Sequence, residues 1–170
     1  AMMPSYLTDF LGLSIQEMGV VTSAIGFGGA LGQFAMPTLS DFIGRKITIL
    51  LSYILAAVFT YLFTQADAGS LPTLFWLIFF AALFNFSALA ILAGPVAAEG
   101  APIGMVASVA GLVIGAGEIF GGGVAPSIAG QIAGAYGLPA VFTFTISGLV
   151  LGFVIALFLK ETAPRKIGTA

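Results

Sequence analysis

The chain has no cysteine and no histidine, so disulfide frameworks, thiolate chemistry, the usual zinc clusters and imidazole acid/base catalysis are all excluded. Charge is nearly as scarce. Only 7% of the 170 residues are Asp, Glu, Lys or Arg, against about a quarter in an ordinary soluble domain. Five basic residues face seven acidic ones, which leaves no cationic surface for a phosphate backbone and excludes nucleic acid as a partner. No cluster suggests a metal or an organic cofactor. What the chain does have is apolar residues, at 59%, a mean hydropathy of +1.14 and 23 glycines. This is the composition of helices packed closely in lipid.

A membrane helix needs about 20 mainly apolar residues. The charged and turn-forming residues divide the chain into five such runs, over 18–39, 47–64, 73–97, 103–133 and 139–159. Pro72 and Pro139 fit the first turn of a helix, where a missing amide is harmless. Residues 1–17 carry Pro4, Asp9 and Glu17 and lack a basic region, so they do not read as a secretory signal. They are either the end of a truncated helix or an interfacial segment held by Tyr6 and Phe10. The spacing therefore predicts an all-α polytopic membrane protein with five spans in residues 18–170, and the lipid bilayer is its first partner.

Arg45, Lys46, Lys160, Arg165 and Lys166 are the whole basic inventory, and five alternating spans place all of them on one side. The positive-inside rule makes that side cytoplasmic, with the C-terminus inside and the N-terminus outside. An internal repeat is also expected. A shift of 85 positions aligns Gly19 with Gly104, Val21 with Val106, Ser23 with Ser108, Gly26 with Gly111, Gly32 with Gly117 and Gln33 with Glu118. Biased composition could produce some of these matches. A genuine duplication would be inverted, since the two copies would run in opposite directions through the bilayer.

Glu118 is the sharpest candidate for function. It lies about fifteen residues into its span, roughly 22 Å at 1.5 Å per residue. An ionisable group at that depth either faces a cavity and carries a proton or contacts solute, or stays neutral and bonded to a neighbouring helix. Gln33 and Asn85 are polar at similar depth, as are Thr143 and Thr145; each could contact solute or pair with another helix. The pairs Gly28 and Gly32, Gly111 and Gly115, and Gly117 and Gly121 place glycines on one helical face and predict close helix packing, concentrated in the fourth span. Pro126 is expected to kink that span.

Between the first two spans, Ser40 to Lys46 reads as a short loop in which Gly44 can take positive φ. Asp41 ends one helix while Arg45 and Lys46 begin the next, so both signs oppose the local helix dipoles. Cross-helix pairing would explain that placement better than a solvated turn.

Pro37-Thr38-Leu39-Ser40-Asp41-Phe42-Ile43-Gly44-Arg45-Lys46 resembles the signature Gly-x-x-x-Asp-Arg-x-Gly-Arg-Lys of the major facilitator superfamily, with Pro37 in place of the first Gly and Phe42 in place of a basic residue. Glu99-Gly100-Ala101-Pro102 is similar to the family's later Glu-x-x-Pro loop. The closing run from Lys160 to Lys166 looks like the end of a twelfth helix. The resemblance implies helices 8 to 12 of the C-terminal half, with the end of helix 7 in residues 1–17. It implies a partial six-helix bundle of 3+3 inverted repeats and a gating turn at Asp41, Gly44, Arg45 and Lys46. It further implies secondary transport of a small solute, often coupled to H+, in a bacterial inner membrane, with the remaining N-terminal half of the transporter as partner. The alternative is a membrane scaffold that kept the packing and lost transport. No enzyme activity is expected.

Overall fold

The computed structural model describes residues 2–167, with side chains as far as Arg165, so the side chain of Lys166 lies outside the described residues. Five helices are long and apolar enough to cross a membrane: α1 (Ile15–Ile43), α2 (Arg45–Thr64), α3 (Leu71–Gly100), α4 (Val106–Tyr136) and α5 (Leu138–Ala156). The protein is an all-α polytopic membrane protein. Each span overlaps the apolar run that marks it in the sequence; α4 starts at Val106 where 103 was expected, and α5 ends at Ala156 where 159 was expected.

The start of α1 is fixed by Ser14 and Glu17. The Ser14 hydroxyl accepts from the Glu17 amide at 3.3 Å, and Glu17 Oε2 accepts from the Ser14 amide at 2.9 Å. This capping box satisfies two amides that no helix can satisfy internally, so the helix begins at Ile15, ahead of the first apolar run.

At its other end α1 continues through Ser40 and Asp41 to Ile43, and α2 starts at Arg45. The expected loop is therefore a single residue. Gly44 has φ +110°, a region disfavoured for any side chain with a Cβ, and this lets two helices reverse within one position. Asp41 belongs to the last turn of one helix, and Arg45 and Lys46 to the first turn of the next.

Helix α1 lies along α3, and Gly28 and Gly32 are the reason the backbones can approach. A Cβ at Gly28 would collide with the Phe79 carbonyl oxygen, and one at Gly32 with that of Leu83. Helix α2 packs on α3 and α5, where the buried hydroxyls of Ser52 and Ser87 meet at 2.9 Å. Helix α4 behaves differently. Its second half, Ala125–Tyr136, rests on α5, its first half touches the end of α3, and Ala129 is the single buried residue among those described in the whole helix.

Gly111, Gly115, Gly117 and Gly121 have nothing within 4 Å of the position a Cβ would take. The close packing expected of them is thus not made within this chain, because that face of α4 has no neighbouring helix among the described residues. Helix α4 continues through Pro126, after widening into a π-helical stretch at Glu118–Val124, with Pro126 withholding an amide just beyond it.

Tyr6 is a core residue and no interfacial anchor. It is buried against Phe63 and Phe142, and only Phe10, stacked on it at 5.0 Å, is exposed. Leu7, Val21, Leu74 and Ile78 complete this apolar cluster at the end of the bundle away from Gly44. A smaller cluster of Ile49, Ile91 and Ala156 fills the Gly44 end.

Candidate functional site

Two features at opposite ends of the bundle bear on function: a polar clasp around Arg45 and a cavity that starts beside Tyr6.

Arg45 is 5% exposed, and a guanidinium taken so far from water must have its donors met by the protein. Its Nη2 bonds Glu99 Oε1 at 2.8 Å and also pairs with Asp41 one turn earlier. Nε lies 3.3 Å from both Glu99 oxygens. Nη1 donates to the Pro37 carbonyl at 2.9 Å and to the buried Ser40 hydroxyl at 2.5 Å. One side chain thereby joins the ends of α1 and α3.

The C-terminal segment closes the same cluster. Glu161 Oε1 accepts from the Arg45 amide at 2.8 Å, and Oε2 accepts from the Lys46 amide at 3.3 Å. The amides of Thr162 and Ala163 add bonds of 3.0 and 2.9 Å. Burial alone would push the Glu161 carboxyl up, but these four amide donors outweigh it and hold the group below the usual carboxylate range. In return, Lys46 Nζ donates to the Leu157 carbonyl at 2.7 Å, at the C-terminus of α5. The Thr162 hydroxyl donates to Glu99 Oε2 at 2.6 Å, and the Arg165 guanidinium lies 4.4 Å from the ring centre of Phe42.

This exchange resolves the unfavourable dipole placement. The basic N-terminus of α2 is neutralised by a carboxylate from beyond α5, and the free carbonyl at the end of α5 is neutralised by a lysine from α2. Arg45, Lys46 and Arg165 all meet at this one end.

The cavity is about 300 Å³ and lies between α2, α3 and α5, with Met2, Met3 and Tyr6 also lining it. Asn85 lines it, together with Thr60 and Thr145, and the remaining wall is apolar and aromatic. A second cavity of about 200 Å³ shares Met2, Val141 and Thr145 with the first and reaches Gly121 and Pro126 on α4.

The residues singled out in the sequence are therefore divided. Asn85 lines the first cavity and is itself exposed. Gln33 is exposed on α1 and lines neither cavity. Glu118 is exposed on α4, with Oε2 lying back along its own helix, 3.0 Å from where a Gly122 Cβ would stand. It is absent from both cavity walls, although Gly121, in the same π-helical stretch, is in the second. Thr60 gave no signal in the sequence, since one hydroxyl near the end of an apolar helix is ordinary. Glu161 could have been found, because a carboxylate just beyond one helix is suited to the basic N-terminus of another. No group of three or more metal-ligating side chains occurs among the described residues.

A family model described as Major Facilitator Superfamily matches residues 1–170. No curated protein and no solved structure matches the chain.

Proposed function

The chain belongs to the Major Facilitator Superfamily, and from that membership we propose that it forms part of a secondary transporter that moves a small solute across a membrane by alternating access. It is a transport protein and not an enzyme. In this reading the five spans are helices 8 to 12 of the C-terminal half, residues 1–17 carry the end of helix 7, and residues 18–170 belong to one half-bundle. The half is built from 3+3 inverted repeats that place α1 opposite α4. The clasp end is cytoplasmic, as the positive-inside rule requires, and the membrane is the inner membrane of a bacterium.

One observation carries the reading. The bundle is tied shut by Arg45 at the Gly44 end, while the cavity lies toward the end where Tyr6 and Leu138 sit. A tie that holds helix ends together on one side only is what one of the two states of alternating access needs. Breaking Asp41, Arg45, Glu99 and Glu161 apart is then the step that opens the cytoplasmic side.

Glu118 is the proton-coupling group. Its exposure in this chain supports a larger assembly, because an ionisable side chain facing hydrocarbon is strongly disfavoured and needs a cavity or a further helix in front of it. The open glycine face of α4 has the same need. The other half of the transporter meets both.

The test is side-specific thiol labelling of the complete protein in sealed vesicles, with Ala156→Cys as reporter behind the clasp. Asp41→Ala should raise labelling from the cytoplasmic face and lower solute uptake. Equal labelling in variant and parent removes the gating role.

A further inference from the structure

We propose that Arg165 is a positioning residue for the clasp: seated on the Phe42 ring at the end of α1, it keeps the segment after α5 latched across α1, α2 and α3. The proposal rests on the transport reading and adds to it the contact that sets how readily the gate releases.

The argument starts from a missing charge. Helix α1 ends in Ser40-Asp41-Phe42-Ile43 before Gly44, with no basic residue in its last turn. Free carbonyls make a helix C-terminus partly negative, and Asp41 adds a full charge there. Arg45 answers from the buried side, through Asp41 and the Pro37 carbonyl. On the outer side stands Phe42, 56% exposed, at the position where the signature has a basic residue. The second cation that this helix end calls for is therefore not on α1.

Arg165 brings it from the far end of the chain. Its guanidinium lies 4.4 Å from the centre of the Phe42 ring, well inside the roughly 6 Å over which a ring face attracts a cation. Local structure aims it there. Ala163 is fully buried, and Pro164 opens the short helix Pro164–Ile167, which touches α1. Proline in a first turn fixes the backbone immediately before Arg165.

The segment is thereby tied at three places. Lys46 holds the Leu157 carbonyl, the α2 amides and Glu99 hold Glu161 and Thr162, and Phe42 holds Arg165. Both partners in the last tie are exposed. An exposed cation–π contact is weak, so its loss shifts such a latch only about two- to fivefold. That suits a tie which must break and reform in every cycle.

The experiment measures amide hydrogen exchange at Arg45 and Lys46 in the complete protein at neutral pH, with cytoplasmic labelling of Ala156→Cys read alongside. Arg165→Gln and Phe42→Leu should each lower protection of the two amides about threefold. The double variant should lose no more than either alone, since all three remove one contact. Phe42→Tyr, which keeps the ring, should keep the protection. Exchanging the pair, Phe42→Arg with Arg165→Phe, should restore what either of those two changes loses by itself.

Unchanged protection in both Arg165→Gln and Phe42→Leu overturns the proposal, as does a double variant that loses the product of the two effects. An exchanged pair that restores nothing overturns it as well. So does a loss extending to the amides of Ile49 and Ser52, because α2 is then loosened as a whole. Lowered protection at Arg45 and Lys46 with unchanged labelling of Ala156→Cys leaves the latch standing and sinks the gating reading alone.

Discussion

Arg45 and Glu161, 116 positions apart, are joined through the backbone: the first amide of α2 donates to the carboxylate beyond α5 at 2.8 Å. Lys46 returns the contact to the Leu157 carbonyl. Each helix end therefore supplies the charge that the other lacks, and neither end is satisfied by residues near it in sequence.

This joint has a pH signature. A carboxylate whose pKa is lowered in the folded protein contributes stability that is fully present above its unfolded value, and that contribution is lost as pH falls through the folded value. Amide hydrogen exchange at Arg45 and Lys46, corrected for intrinsic rates, should show protection that holds at neutral pH and falls below the ordinary carboxylate range. Glu161→Gln should show reduced protection already at neutral pH. Protection that is independent of pH in the parent rules out Glu161 as the cap.

Close approach of α1 and α3 rests on Gly28 and Gly32. Gly32→Leu should destabilise the bundle by about 3 kcal/mol or more, because the obstacle is a backbone carbonyl that cannot rotate away. Gly117→Leu should leave the yield of folded 170-residue chain unchanged, since nothing stands near it. Folded yield in detergent by size-exclusion chromatography checks both. Equal loss in the two variants contradicts the asymmetry.

Proton coupling by Glu118 predicts that Glu118→Gln abolishes solute-driven proton movement in the complete protein while insertion and folding persist. The amide keeps size and hydrogen bonding but cannot release a proton. Uptake with unchanged acidification of the vesicle lumen, read with a pH-sensitive dye, removes Glu118 from the coupling step.

The five spans were legible in the sequence because hydrocarbon imposes a length and a polarity that single residues report directly. Asp41, Gly44, Arg45 and Lys46 were likewise legible as a tight turn of opposed charges, since φ beyond +100° at Gly44 needs no partner to explain it. Glycine pairs were a weaker guide. The same spacing occurs at Gly28 and Gly32, where a helix lies across it, and at Gly117 and Gly121, where none does, because spacing defines a face without supplying a neighbour.

Sequence alone thus determined the membrane environment, the number of spans and the end at which charge collects, all of which follow from local transfer of side chains between water and lipid. Tertiary structure alone decided that Glu99 and Glu161 converge on Arg45, that Tyr6 is core, and that Thr60 and Asn85 share a cavity. Those are contacts between helices far apart in the chain, and they are set by how the helix faces pack against each other.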